Sequence, residues 1–139
     1  MSVDDILAAA RQCLGTPFRH QGRLVGVGLD CAGVAVHIAR VIGVEYLDVQ
    51  GYGRTPANGQ LAQSLDSQPC LEIVPAISGR RLGDLLLMRM ARDPQHLAVL
   101  TDRETILHAY ESAGHCCEHR LDRSWRARIV RVYRFLGVS

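Results

Sequence analysis

A chain of 139 residues, 47% hydrophobic and 22% charged, is long enough to bury the core of one globular domain, which we expect to span residues 1–139. A net charge of +2 is too small to indicate nucleic-acid binding, and no apolar stretch is long enough to span a membrane. Five irregularly spaced cysteines without a CxxC pair argue against a disulfide framework and a zinc ribbon. The first residues lack the basic and apolar regions of a signal peptide, which predicts synthesis in a reducing cytoplasm.

The chain begins with a predicted helix followed by a loop. Ser2 is a candidate N-cap, and apolar residues recur at helical spacing from Ile6 to Leu14. Gly15-Thr16-Pro17 ends this helix. Residues 18–29 contain three glycines among mixed polar residues, which is typical of a loop.

A glycine-rich loop leads into Cys31, and this cysteine opens a second predicted helix over residues 31–42, which ends at Gly43. The apolar stripe of that helix comprises Val34, Ile38, Val41 and Ile42. A thiol at a helix N-terminus lies near the positive end of the dipole and near free N–H groups, and both favour the nucleophilic thiolate. The alternative is a buried cysteine that caps a core helix.

The rest of the chain is predicted to be mostly strands. A turn-rich segment, residues 51–59, is placed to cover a cleft, and a short helix is predicted over residues 60–65. Strands are predicted over residues 71–74, 85–88, 97–101, 105–110, 116–120 and 128–135, with a turn or short helix over residues 121–126. Helices that precede strands, without βαβ alternation, indicate an α+β fold with an antiparallel sheet.

Two of the six histidines fall in the predicted hairpin. Pairing Thr101 with Thr105 across a three-residue loop places Ala98 opposite His108. His96 then lies diagonally from His108 on the same face of the sheet. A two-residue loop would send the two rings to opposite faces.

A cysteine nucleophile needs a base, and the base needs an orienting partner. If the helix of Cys31 packs on the face that carries His96 and His108, the three side chains meet. Cys31 would then attack, His96 would pair with the thiol, and His108 would orient the His96 ring. The alternative for each histidine is a structural or exposed position.

Five short motifs occur in a characteristic order between residues 3 and 110. They are Gly15-Thr16-Pro17-Phe18, Gly28-Leu29-Asp30-Cys31-Ala32-Gly33-Val34, Gly83-Asp84-Leu85-Leu86, His96-Leu97-Ala98-Val99-Leu100 and Ile106-Leu107-His108-Ala109. As an ordered set they resemble the NlpC-type cell-wall peptidases, a papain-like family of cysteine hydrolases. Residues 17–21 and the C-terminal residues around Trp125 most resemble the branch that phages and prophages encode near their tail genes.

The resemblance implies a papain-like α+β fold in which the nucleophile helix packs on the antiparallel sheet. It also implies a peptidase that cuts peptidoglycan stem peptides, usually between γ-linked D-glutamate and a diamino acid, without metal or organic cofactor. By position, Cys31 is the nucleophile, His96 the base and His108 the third polar residue. Asp30 would hold the loop or the amino end of the substrate, and the Cys31 N–H would stabilise the oxyanion.

Two residues depart from the family pattern. Phe18 stands where the family often has a tyrosine whose hydroxyl faces the site, so His20, Tyr52 or water would have to donate instead. Ala32 stands where the family often has serine. Asp30, Phe18, His20 and Tyr52 are therefore the candidate substrate-binding residues.

The alternative functions are a tail-assembly or structural protein with a weakly active or inactive papain-like fold, and an amidase or esterase on another acyl substrate. The expected partners are a stem peptide and phage tail proteins, but neither nucleic acid nor a membrane. The resemblance places the protein in the bacterial cytoplasm when it is made and in the virion tail when it acts.

Residues 115–119, His-Cys-Cys-Glu-His, are rich in metal-ligand types. Adjacent cysteines on a strand point to opposite faces, so Cys116 and Cys117 cannot easily share one ion. We therefore expect no metal site there.

Overall fold

The computed structural model describes residues 2–48, 59–90 and 93–138, with only the backbone of residues 93 and 94. The helices of these residues are α1 Val3–Gln12, α2 Cys31–Ile42, α3 Gln60–Asp66 and α4 Arg123–Arg126. The strands are β1 Arg23–Leu24, β2 Gly28–Leu29, β3 Leu71–Ile73, β4 Leu85–Met90, β5 Asp93–Asp102, β6 Thr105–Tyr110, β7 His115–Arg120 and β8 Ile129–Phe135. The predicted cleft cover of residues 51–59 lies outside the described residues except for its last glycine, and so does Tyr52.

Six strands form one antiparallel sheet in the order β3-β8-β4-β5-β6-β7. The strands β1 and β2 form a separate small hairpin within residues 18–29, which were predicted to be a loop. The predicted α+β fold with an antiparallel sheet is confirmed. Among the described residues, no helix combines the length and apolar composition that crossing a membrane requires.

The sheet is apolar on both faces. One face packs against α1 and α2, and the strand residues of that core include Leu85, Leu87, Leu97, Val99, Leu107, Ala109, Tyr133 and Phe135. The opposite face forms a second core that includes Leu86, Met88, Ala98, Leu100, Ile106 and Val132, with Trp125 packed against it. The central strands are therefore buried on both sides.

The helix of Cys31 packs on the face of the sheet opposite to the one that carries His96 and His108. It shares its core with Leu97 and Val99 of β5. Because side chains alternate along a strand, His96 shares the other face with Ala98. The condition that α2 packs on the face of His96 and His108 is therefore not met. The inclusion of Val41 in the buried stripe is wrong, since this residue is 48% exposed.

The hairpin of β5 and β6 has a two-residue turn, Arg103-Glu104, and not the predicted three-residue loop. Asp102 pairs with Thr105, but the register shifts by one residue before Leu100 pairs with Ile106. This bulge leaves Thr101 as the extra residue and restores the predicted parity. Continued by one residue, the register places Ala98 opposite His108, as we predicted.

Asp84 links the start of β4 to β8 and is 1% exposed. Its carboxylate accepts hydrogen bonds from the Arg134 guanidinium at 2.9 and 2.8 Å and from the Arg81 N–H at 2.7 Å. We expect Asp84→Ala to lower the free energy of unfolding by about 3 kcal/mol, because it leaves a partly buried cation and the Arg81 N–H without their acceptor.

Urea unfolding followed by circular dichroism measures this loss. Glu104→Ala is the matched control, because Glu104 pairs with Arg126 at 3.6 Å on the surface and its side chain is 56% exposed. The control should change the stability by no more than about 1 kcal/mol. Equal losses in the two variants would contradict the structural role of Asp84.

Candidate active site

The nucleophile candidate lies at the first turn of α2. Asp30 is the N-cap of this helix and is 4% exposed. Its carboxylate accepts hydrogen bonds from the N–H groups of Gly33 and Gln21, both at 2.9 Å, and from the Arg23 guanidinium at 2.8 Å. These contacts fix the loop before Cys31 and use much of the carboxylate's capacity to accept hydrogen bonds.

The surroundings of Cys31 favour the neutral thiol. Burial, followed by the negative charge of Asp30, raises the pKa of Cys31 to about 12. Hydrogen bonding from the backbone N–H groups of Leu97 and Ala32 acts in the opposite direction. Cys31 is partly exposed when the whole residue is considered. Desolvation and the charge of Asp30 therefore oppose the thiolate that the position at the helix N-terminus is predicted to favour.

The rings of His96, His108 and His119 form a hydrogen-bonded row on the face of the sheet that also carries Ala98. His96 Nε2 lies 2.5 Å from His108 Nδ1, and His108 Nε2 lies 2.7 Å from His119 Nε2. The row ends where His119 Nδ1 lies 2.9 Å from the backbone oxygen of Arg120. His108 is fully buried and His96 is 8% exposed.

When the rings are neutral, the contact between His119 and the Arg120 carbonyl determines which ring nitrogen donates and which accepts in every hydrogen bond of the row. The Arg120 carbonyl can only accept, so His119 Nδ1 carries a proton and its Nε2 carries a lone pair. His108 must then donate from Nε2 and accept at Nδ1. His96 must donate from Nε2, which leaves its Nδ1 as an unprotonated base.

Burial keeps the inner two rings neutral. It lowers the pKa of His96 to about 4, with the charges of Arg128 and His119 as further causes. It lowers the pKa of His108 to about 2, helped by His96 and His119. Both rings are therefore uncharged near pH 7, as the assignment of donors and acceptors along the row requires.

The predicted pair of His96 and His108 is thus found in direct contact. Cys31 approaches them from the other side of β5, where the Leu97 N–H faces its sulfur. The paired residues of β5 and β6 begin at Val99 and Leu107, so the hydrogen-bonded ladder between these strands stops short of Leu97. Among the described residues, no hydrogen bond joins the Cys31 sulfur to the His96 ring. Such contacts are often long before substrate binds.

Aromatic side chains hold the row in place. The Tyr110 ring stacks on His108 at a centroid distance of 5.0 Å. Trp125 in α4 lies 5.1 Å from His108 and 5.2 Å from His119, and the Arg128 guanidinium covers the indole at 4.9 Å. The sequence reasoning missed both His119 and Trp125. The register of β6 with β7, which pairs His108 with Cys117, would have revealed His119 as a diagonal neighbour.

Of the predicted substrate-binding residues, Asp30 is the N-cap of α2, Phe18 lies beside the strand that precedes it, and Tyr52 is outside the described residues. Phe18 bridges to Leu29 and packs against the main core, as Cys31 does. The His20 ring lies 3.5 Å from the Gln21 amide. Tyr46 was not predicted, but it packs on the same core as Cys31, and burial, Cys70 and Cys31 raise its pKa. A tyrosine hydroxyl is therefore present near the thiol although Phe18 lacks one.

We expect the alkylation rate of Cys31 by iodoacetamide to rise steadily from pH 6 to pH 10. A thiol pKa raised to about 12 keeps the thiolate a small fraction that grows tenfold with each pH unit over this range. Time-resolved labelling followed by peptide mass spectrometry measures the rate. The urea-unfolded chain is the control and should level off above an ordinary thiol pKa of about 8.5. A plateau of the folded protein below pH 7 would show a resting thiolate and contradict the expectation.

The α+β fold, the cysteine at the start of a helix and the paired imidazoles on neighbouring strands define a papain-like domain. The sequence profile of the NlpC/P60 family matches residues 15–134, so this chain belongs to the NlpC/P60 family. No protein in a search of curated proteins matches the sequence.

Several solved structures share the fold. An NlpC/P60 family protein from Bacillus cereus superposes with a TM-score of 0.74 at 16% identity, over 99% of this chain and 41% of that one. The peptidoglycan hydrolase RipB of Mycobacterium tuberculosis has a TM-score of 0.68 at 20% identity, over 95% of this chain and 63% of that one. RipD of the same organism, described as non-catalytic and adapted to peptidoglycan binding, has a TM-score of 0.63 at 17% identity, over 96% and 97%. The chain spans about two fifths of the Bacillus cereus protein.

Proposed function

We propose that this protein is a cysteine endopeptidase that hydrolyses peptide bonds in peptidoglycan stem peptides. The observation that carries the proposal is the histidine row. It fixes His96 with a free Nδ1 at the strand position next to Leu97, whose N–H faces the Cys31 sulfur. Hydrolysis by a cysteine nucleophile needs a thiol, a base whose acceptor nitrogen faces it, and a group that orients the base.

The reaction begins with a neutral thiol and a neutral imidazole. As the Cys31 sulfur attacks the carbonyl carbon, its proton passes to His96 Nδ1. Burial disfavours either charge alone, but the two charges form together and attract each other strongly in a site with little water. The N–H of Cys31 stabilises the oxyanion, and Tyr46 is our candidate for a second donor in place of the tyrosine hydroxyl missing at Phe18.

The imidazolium then protonates the leaving amine, and the acyl group stays on the sulfur as a thioester. His96 accepts a proton from water, which attacks the thioester and regenerates the thiol. Asp30 keeps the loop before Cys31 in position throughout.

The substrate class follows from family membership and from neighbours such as RipB, which is described as a peptidoglycan hydrolase. We propose cleavage between γ-linked D-glutamate and a diamino acid. The association with a phage tail, and delivery by it, rest on the sequence resemblance of residues 17–21 and the C-terminal residues.

The second candidate is a protein that binds peptidoglycan or has a structural role in a tail without cleaving the wall. The raised pKa of Cys31 and the phenyl ring of Phe18 favour it, and RipD has the same fold. Action on another amide or ester by the same site is a third reading. The first two readings make different predictions for one set of samples, and the identity of the released fragments separates the third from the first.

The test is incubation of purified peptidoglycan with the wild-type protein and with Cys31→Ala, followed by mass spectrometry of the soluble fragments and co-sedimentation of protein with the wall. We expect new amino termini on stem-peptide fragments with the wild type only. Co-sedimentation without fragments would favour the binding protein. Equal fragment release by Cys31→Ala would exclude hydrolysis by this site.

A further inference from the structure

A thiol, that of Cys117, lies at the end of the histidine row where His119 is found. Cys117 lies directly opposite His108 in the register of β6 and β7, and His119 lies two residues further along the same strand. The Cys117 sulfur and one ring nitrogen from each histidine lie within 4.8 Å of one another. Cys116 is buried in the main core on the other face of the sheet, as the alternation of adjacent cysteines predicts.

Although the sequence predicts no metal site in residues 115–119, because Cys116 and Cys117 cannot share an ion, we propose that Cys117, His119 and His108 form a zinc-binding site without Cys116, and that zinc bound there switches off the base at His96. Two imidazoles and one thiolate, with a fourth position left for water, form a donor set that suits Zn²⁺. Cys117 and His119 are partly exposed, which gives an ion a path from solvent to the buried His108.

The second contact of His119 prepares it as a ligand. Its Nδ1–H donates to the Arg120 carbonyl at 2.9 Å, so the lone pair lies on Nε2, which faces the cluster. A backbone carbonyl on the far nitrogen is the usual way in which proteins fix the tautomer of a zinc-bound histidine. The two facing Nε2 atoms, now 2.7 Å apart, would separate to about 3.3 Å around a tetrahedral ion.

Binding of zinc would reverse the hydrogen bond between His108 and His96, so that His108 becomes the donor. Zn²⁺ takes the Cys117 thiolate, whose proton goes to solvent. It also takes the lone pair of His108 Nε2, so the proton of that nitrogen moves to His108 Nδ1. His108 then donates to His96 Nε2, and the proton of His96 moves to its Nδ1. The nitrogen that would accept the thiol proton is then already protonated.

The existence of the site does not depend on catalysis, but the effect on the base rests on the proposed hydrolase function. Binding and activity are therefore measured separately on the full chain. Cobalt, which replaces zinc and gives a thiolate-to-metal charge-transfer band, reports the ligands, and metal analysis after dialysis against zinc chloride reports the stoichiometry.

We expect one ion per chain and a charge-transfer band that persists in Cys31→Ala and disappears in Cys117→Ser. Cys70→Ser is the matched control, since Cys70 lies outside the cluster, and it should keep the band. Absence of the band from the wild type, its survival in Cys117→Ser, or its loss in Cys31→Ala would overturn the site.

The activity arm compares peptide release with and without one equivalent of zinc. We expect at least tenfold inhibition of the wild type, reversed by a chelator, and less than twofold inhibition of Cys117→Ser, whose activity without zinc should match the wild type. Binding without this difference would overturn the switch. An inactive but zinc-binding wild type would contradict the proposed hydrolysis and, with it, the switch, while leaving the site established.

Discussion

Replacement of His96 by alanine is expected to lower the rate of peptide release from peptidoglycan by about 10⁴-fold in the molecules that remain folded. The variant removes the nitrogen that takes the thiol proton and later protonates the leaving amine. The thiol of Cys31 would then have no base, and burial keeps it protonated at neutral pH. Initial rates of new amine formation on a soluble stem peptide measure the effect.

His37→Ala is the matched control for this experiment. His37 lies on α2, where its ring is within 2.8 Å of the Gln12 amide oxygen, remote from the row of His96. The control should keep its rate within about twofold of the wild type. A loss of less than tenfold for His96→Ala would mean that another group acts as the base.

Replacement of Asp30 by alanine is expected to lower the free energy of unfolding by about 4 kcal/mol and to abolish activity. The change removes the N-cap of α2 and leaves the N–H groups of Gly33 and Gln21 without this acceptor. It also removes one carboxylate partner of Arg23. The loop that positions Cys31 would lose its anchor, so activity should fall even in the molecules that remain folded.

Denaturant unfolding together with activity at low temperature separates the two effects. Asp48→Ala is the control, because Asp48 contacts the same Arg23 at 3.0 Å but does not cap the helix. We expect the control to lose about 1 kcal/mol and to keep most of its activity. A similar loss in both variants would show that the ion pair, and not the cap, supports the site.

The sequence predicted the fold class and the main elements because the periodicities of α2 and of the strands are strong. It could not predict which face of the sheet α2 covers. Strand β5 is apolar on both of its faces, with Leu97 and Val99 on one face and Ala98 and Leu100 on the other. A strand buried on both sides carries no alternation, so the helix could be placed on either face.

The prediction that His96 and His108 share one face of the sheet was correct, although the predicted length of the hairpin loop was wrong. The two-residue turn would have separated His96 from His108, and the extra residue at Thr101 brings them back to one face. Bulges depend on how neighbouring strands twist and pair, which local sequence does not specify.

The electrostatics of the site and its outer shell were the least predictable. A helix N-terminus is visible in the sequence, whereas the burial that raises the pKa of Cys31 depends on the packing of distant segments. His119 and Trp125 reach the row only because β7 and α4 fold back over it. Their residue types gave no reason to prefer them over the other histidines and aromatic residues.

Mass spectrometry of the protein quenched during turnover of a defined stem peptide tests the central claim most directly. We predict a covalent acyl adduct on the proteolytic peptide that contains Cys31, with the released amine in solution and no adduct in Cys31→Ala. An adduct on a different side chain, or full turnover by Cys31→Ala, would contradict the assignment of Cys31 as the nucleophile.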